Sequence, residues 1–405
     1  MMTNNVSTLN VLLYGEPIAT ITNVGNDRTL FAFMDSYSND EFRPVLGLGF
    51  KDSLGGLLTN FKPTQTQLIP FFSNLLPEET MRNYLAERAG VNPAREFFLL
   101  WVLGQDLAGA ITIEPADGEV LPSNVHQGIG DEMNIEAPMR FSLAGVQLKF
   151  SAVKQANGGL TIPATGKGGS WIVKLPSSRF KSVPENEYSM MELARMLGMD
   201  VPETQLLPID QVANIPEGIG KFGDSAFAIK RFDRAEGRAI HTEDFAQVFG
   251  VYPQDKYKKA SMRNIAQVIG IEGQEDDIAE FIRRLVFNTL IGNADMHLKN
   301  WSVIYKDKRT ASIAPAYDFV STIPYIPDHS AALKVSRSKK FSDFTFDELS
   351  HLAAKAMLPE KLVLDTAKQT VDGFYEIWTK ENAHLPLTRS MIKAIEEHLQ
   401  SIPLR

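Results

Sequence analysis

The stretch FNTLIGNADMHLKNWSVIY, residues 287–305, decides the fold. A helix-patterned apolar run ends at Ile291-Gly292, and a polar loop then carries Asp295, His297, Lys299 and Asn300. An apolar strand pattern follows over 301–305. Downstream, SIAPAYDFVS sets Asp318 directly behind a second short apolar segment. An aspartate, an asparagine five residues on and a second aspartate after a strand form a recurring arrangement for phosphoryl transfer to a hydroxyl. In it Asp295 accepts or orients the proton of the attacking hydroxyl. Asn300 and Asp318 supply the oxygen ligands that suit Mg²⁺, whose charge offsets that of the phosphates. Taken alone, Asp295 and Asn300 read equally well as turn formers at a helix end.

Such chemistry needs a cation on the phosphates. WIVKLP, 171–176, places Lys174 inside an apolar strand, where a cation is disfavoured unless a buried anion pairs with it. The helix pattern that follows offers Glu185, Glu187 and Glu192, of which Glu187 is preferred because Glu187-Tyr188 opens the apolar run. A backbone-rich loop over the phosphates is expected from SLAGVQLK, 142–149: Ala144 and Gly145 permit close approach and Lys149 adds charge.

Working outward, residues 10–35 read as short strands broken by Gly15-Glu16-Pro17 and Gly25-Asn26-Asp27. Helices are expected over 77–89 and 92–103, then a strand over 109–113. A loop rich in Pro, Gly, Asn and Asp over 115–139 is the best boundary candidate. Strands are expected over 171–175, 204–208 and 226–232, with a helix over 186–197. From 241 onward the pattern is helical, at 241–249, 261–270, 275–291, 346–356, 359–380 and 388–401. Strands early and helices late imply a two-lobed α+β architecture, divided as 1–115, 116–232 and 233–405.

Composition narrows the function classes. In 405 residues, 41 Lys+Arg stand against 49 Asp+Glu, so the net charge of −8 excludes a generally basic nucleic-acid binder and confines any such contact to a local patch. The lack of cysteine removes disulfides, thiolate metal sites and thiol nucleophiles. MMTNNVSTLN carries no secretory pattern, and the most apolar run, 97–103, is too short for the roughly 20 residues of a membrane span. A cytoplasmic protein without a membrane partner is expected.

SLAGVQLKF, WIVKLP, ENEY, RFDR, FAQVFG, IGNADMHLKN and APAYDFVS, in this order and spacing, resemble the signature segments of the HipA-type serine/threonine kinases of bacterial toxin–antitoxin modules. The 10–113 region, with FFSNLLPE and GAITI, is similar to that family's small N-terminal domain. The resemblance implies a protein-kinase-like fold using ATP and Mg²⁺, with Asp295 catalytic and Asn300 and Asp318 on the metal. It implies a phosphate loop of Ala144, Gly145, Val146, Gln147, Leu148 and Lys149, with Lys174 on the phosphates. Lys230, Arg231 and Phe232 would form the adenine hinge, and His297, Leu298, Lys299, Asn300 and Tyr317 would complete the nucleotide site. His297 also reads as a residue that orders its loop. Ser142 would be an autophosphorylated serine that switches the enzyme off. One departure is Lys230, where the family usually has Glu; a hinge works through its backbone, so the change alters surface charge more than adenine binding.

The resemblance further implies a helix-turn-helix antitoxin of the HipB kind and operator DNA bound through that complex. The implied substrate is an aminoacyl-tRNA synthetase, chiefly the glutamyl enzyme, whose phosphorylation arrests translation and growth. Lys334, Arg337, Lys339 and Lys340 read as a solvated face or, by the same resemblance, as a DNA-phosphate contact made by Arg337, Lys339 and Lys340. Lys256, Lys258, Lys259 and Arg263 read as a solvated face. A small-molecule or lipid kinase and a non-catalytic corepressor are the competing readings; intact Lys174, Asp295, Asn300 and Asp318 argue against the second.

Overall fold

The structure is a computed structural model describing residues 7–116, 148–155, 159–162, 168–215, 222–235 and 237–404. Ser142, Ala144, Gly145, Val146 and Gln147 lie outside the described residues. Two compact units divide the chain. The first takes Met1–Phe141, Asp233–Asp255 and Ile304–Arg309; the second takes Ser142–Phe232, Lys256–Val303 and Thr310–Arg405. Among the described residues no helix is long and apolar enough to cross a membrane.

In the first unit, strands β1 (Ser7–Leu13), β2 (Glu16–Asn23), β3 (Arg28–Phe33), β4 (Thr64–Gln65) and β5 (Ile111–Pro115) form an antiparallel sheet in the order β4-β3-β2-β1-β5. Alternation along β1 buries Leu9, Val11 and Leu13 on one face. Tyr14 and Gly15 join β1 to β2 with φ of 56° and 83°, a two-residue turn whose twist matches the strands. Phe31, Phe71 and Phe72 meet Phe97, Phe98, Leu99 and Leu100 of helix Glu96–Leu103 in one core. That helix starts later than the expected residue 92 because Asn92 Oδ1 accepts the Ala94 N–H (2.9 Å), closing a turn that competes with helix.

One expectation is corrected in this unit. Residues 241–249 are not all helix: His241–Asp244 is a strand, and the helix Phe245–Val248 begins behind it. Asp244 Oδ1 accepts the Gln247 N–H while Gln247 Oε1 accepts the Asp244 N–H, and this reciprocal cap fixes the start. His241 stacks on Tyr305, ring centroids 5.5 Å apart. Glu243, 1% exposed, accepts the Leu48 N–H (2.7 Å) and the Tyr305 hydroxyl proton.

The second unit is built on β6 (Lys149–Lys154), β7 (Leu160–Thr161), β8 (Trp171–Lys174), β9 (Thr204–Pro208), β10 (Val212–Ala213) and β11 (Ser225–Lys230). Their order is β10-β7-β6-β8-β11-β9, antiparallel except for the β10–β7 pair. Helix Val183–Met196 packs on β9 and β11 and buries Asn186, Glu187, Met190 and Met191. Helix Glu275–Leu290 runs against Glu360–Glu381, with Phe287 meeting Phe374 at 5.9 Å. Inside it, Arg284 pairs with Glu280 (2.8 Å) and donates to the Ala314 carbonyl (2.7 Å), anchoring the segment that leads to Asp318. Gly292 closes the helix at φ 65°, and a Cβ there would lie 2.1 Å from Ile323 Cδ1, so only glycine fits both the turn and the packing.

Candidate active site

Three titratable side chains meet at the C-terminal end of β8. Lys174, 7% exposed, directs Nζ to Glu187 Oε1 at 2.5 Å and to Asp318 Oδ1. The antiparallel register sets Lys174 between Lys149 of β6 and Phe227 of β11. Burial works to lower the Lys174 pKa, but the charges of Asp318 and Glu187 outweigh it and hold the ammonium above its usual range. Burial pushes Glu187 up to about 7 against the pull of Lys174. Asp318 is shifted the other way: burial is outweighed by Lys174, Lys149 and then His297, and its carboxyl stays well below the usual carboxylate range. Its backbone has φ 62°, the left-handed region that aspartate tolerates better than most residues.

Asn186 ties these groups to the following segment. Fully buried on the same helix as Glu187, it donates Nδ2–H to the Ser321 carbonyl (2.9 Å) and accepts the Ser321 N–H on Oδ1 (3.0 Å). One residue further on, Thr322 Oγ1 donates to the Gly292 carbonyl (3.0 Å) and accepts the Ala294 N–H (2.8 Å). The Asn293 side chain bridges Asn288 (2.8 Å) and the Asp295 N–H (3.0 Å). The loop that carries Asp295 is therefore pinned on both sides while Asp295 itself stays exposed.

Within the loop, His297 N–H and Asn300 Nδ2 both donate to the Asp295 carbonyl, each at 2.8 Å. His297 is 6% exposed, and its ring meets the edge of Tyr257 at 5.0 Å. The Tyr257 hydroxyl donates to Asp295 Oδ1 at 2.7 Å. Leu298 packs fully buried. Tyr317 donates to the Lys299 carbonyl (2.9 Å), shares a hydrogen bond with Ser302 Oγ (2.5 Å), and lies 5.8 Å from the Phe232 ring. A continuous path thus runs from Lys174 through Asp318 and Tyr317 to Lys299, Asn300 and Asp295.

The remaining expected residues are placed as follows. Leu148 is buried, its carbonyl accepting the Leu175 N–H (2.8 Å), and Lys149 opens β6. Lys230 is exposed, its N–H bonded to the Glu203 carbonyl (2.8 Å), while the buried Arg231 donates its N–H to the Ser170 carbonyl (2.8 Å). Arg337 is held by Asp347 and Glu348, both at 2.6 Å, so its charge is already paired. Lys339 and Lys340 are exposed and carry no ion pair among the described residues. Sequence reasoning missed Asn186, Asn293, Thr322 and Tyr257. The first had a signal: an asparagine beside a glutamate on the apolar side of a helix demands partners.

Residues 9–114 match the HipA N-terminal domain, and residues 141–378 match the HipA-like C-terminal domain. The Sinorhizobium fredii protein named "Putative kinase Y4dM" is 55% identical over 405 residues, 98% of each chain. The serine/threonine-protein kinase toxin HipA of Shewanella oneidensis is 29% identical over 298 residues, 65% of each. The solved complex of Shewanella oneidensis HipA with HipB and its operator DNA gives a TM-score of 0.72 at 22% identity, covering 97% of this chain and 95% of that one. The α+β kinase-like fold expected from the sequence is the fold of that complex's HipA. With both domains matched in order and a relative 55% identical over 98% of its length, the chain belongs to the HipA family.

Proposed function

We propose that the chain is an ATP-dependent serine/threonine-protein kinase. The observation that carries this is the ion-paired group in which Lys174 and Glu187 are buried and Asp318 is partly exposed, connected through Tyr317 to the loop that exposes Asp295. Burying Lys174 beside Glu187 is costly, and a lysine so held presents a fixed cation for phosphates. Asp295 accepts the proton of a serine hydroxyl as its oxygen attacks the γ-phosphorus. The bond from that phosphorus to the bridging oxygen breaks, and ADP leaves with the electron pair.

The donor set fits Mg²⁺. Asp318 is held ionised, and Asn300, with Nδ2 spent on the Asp295 carbonyl, has Oδ1 left to ligate. Two protein oxygens suit a cation that keeps water and phosphate oxygens as its other ligands. When bound there, the metal would neutralise phosphate charge. Phe232 and Tyr317 offer aromatic faces to adenine. Because the N–H groups of Lys230 and Arg231 are already bonded, hinge recognition falls on other backbone atoms of that segment.

The wider reading follows the family. Ser142 and the loop from Ala144 to Lys149 serve as autophosphorylation site and phosphate loop. A HipB-like antitoxin neutralises the kinase and brings it to operator DNA, where the pair represses their own operon. The substrate is an aminoacyl-tRNA synthetase of the cytoplasm, and its modification arrests growth. Asp295→Asn should lower phosphoryl transfer from radiolabelled ATP by about 10² to 10⁴ with unchanged thermal unfolding. Wild-type rates in that variant would refute the assignment. Peptide mass spectrometry after incubation with Mg²⁺-ATP should find phosphate on Ser142; phosphate only elsewhere would remove that residue from the scheme.

A further inference from the structure

Asn186 has no part in the scheme above, yet every polar group of its side chain is spent on the second unit's site. Its two amide hydrogens go to the Ser321 carbonyl (2.9 Å) and the Tyr325 hydroxyl (3.2 Å), and Oδ1 accepts the Ser321 N–H (3.0 Å). Asn186 and Ser321 are both wholly buried, and Ser321 Oγ has no partner among the described residues, so Ser321 is held through its backbone. The Tyr325 hydroxyl donates in turn to the Ser182 carbonyl (3.2 Å), which also accepts the Asn186 N–H (3.1 Å). Beyond Ser321, the single hydroxyl of Thr322 bonds both the Gly292 carbonyl and the Ala294 N–H, next to Asp295. Ser182 and Asp318, at φ 55° and 62°, hold left-handed conformations that persist only where surrounding contacts fix them.

We propose that Asn186 is a positioning residue that joins the helix carrying Glu187 to segment 318–322 and, through Thr322, to Asp295, so that the phosphate end and the acceptor end of the site form one unit. This rests on the kinase reading. An amide suits the task because it donates and accepts from one planar group, and so pairs with both backbone groups of Ser321. Cutting it leaves a buried N–H and a buried carbonyl without partners, and the segment must shift to satisfy them. That shift moves Asp318 at one end and, through Thr322, the Ala294–Asp295 turn at the other. Glu187 keeps its own contact with Lys174, so the ion pair survives the cut. The coupling is reciprocal: releasing Thr322 loosens Ser321, and releasing Asn186 loosens Ala294.

Asn186→Leu keeps the volume and deletes the amide; Thr322→Val keeps the shape and deletes the hydroxyl. With full-length protein, Mg²⁺ and γ-labelled ATP, phosphoryl transfer is counted as label on protein plus label released as phosphate. Each variant should lower kcat about 10- to 100-fold, the effect of a misplaced catalytic group, with the KM for ATP held. The double variant should be no slower than the slower single one, since either cut opens the same relay. Hydrogen exchange should accelerate at the Ser321 amide in Thr322→Val and at the Ala294 and Asp295 amides in Asn186→Leu. Amides of helix Glu360–Glu381 should keep wild-type rates in both, which separates positioning from a general loss of stability. Multiplicative kcat losses in the double variant, or Ala294 and Asp295 amides as protected in Asn186→Leu as in the wild type, would overturn the relay. Should Asn186→Leu not fold, a Ser321 amide that stays protected in Thr322→Val overturns it alone. A wild type that passes label to neither protein nor water overturns the kinase reading, and the exchange pattern still decides the relay.

Discussion

Replacing Lys174 by Met removes the cation that Glu187 was buried beside and leaves a carboxyl group only 1% exposed in its side chain. Burial already pushes Glu187 up to about 7 from an ordinary 4.5, and the ammonium is what restrains it. Without Lys174 the acid stays protonated in the folded state across a wider range of pH. Because the folded value is raised above the unfolded one, the stability this group contributes is complete below 4.5 and is lost as pH rises toward the folded value. At about 1 kcal/mol for each tenfold change in the proton equilibrium, the wild type should lose on the order of 1 kcal/mol from Glu187 as pH rises through the folded value. Lys174→Met, which removes the ammonium that restrains Glu187, should lose more over the same range. Lys174→Met combined with Glu187→Gln has no such group and should lose none from it. Urea unfolding followed by tryptophan fluorescence reads this well, since Trp171, Trp301 and Trp378 lie in the second unit and Trp101 in the first. A Lys174→Met protein no steeper in pH than the wild type, or a double variant as steep as the single one, would refute the reasoning.

Glu243 gives the first unit its own pH dependence. Burial pushes it up to about 8, so its contribution is full below 4.5 and is lost as pH rises through about 8. Hydrogen exchange of the His241–Asp244 amides should accelerate across that window in the wild type and should do so less in Glu243→Gln; equal acceleration would contradict it. Lys339→Ala with Lys340→Ala should flatten the salt dependence of operator binding by the antitoxin-bound protein, by about 0.9 in log–log slope for each DNA phosphate no longer neutralised, and an unchanged slope would return the pair to a solvated face.

How much of this was legible before folding varies with the range of the interaction. The course of the loop was legible, because the Ile291-Gly292 stop is local and the glycine is a backbone requirement. Lys174 was legible by its misfit with an apolar strand, and Glu187 by the demand that misfit makes; the ion pair at 2.5 Å answers both. His241–Asp244 was misread because four residues of strand running into four of helix carry too short a period to show either. Arg337 reads in sequence as one of a basic cluster, either a solvated face or a DNA-phosphate contact, since nothing in its own neighbourhood announces Glu348, 3% exposed and eleven residues on.

Tyr257 illustrates the limit most sharply. Thirty-eight residues separate it from Asp295, and in sequence it sits among lysines that any charge-pattern argument assigns to solvent. Only the fold brings the phenol to the carboxylate, through the Leu298–Lys256 backbone bond and the contact with His297. The same contact gives His297 a use that needs no proton transfer: its N–H is on the Asp295 carbonyl and its ring is against Tyr257, so it orders the loop from two sides. A histidine that acts by packing should tolerate replacement by a ring of similar size better than by alanine. A histidine that moves protons should tolerate neither, and phosphoryl transfer by His297→Phe and His297→Ala separates the two roles.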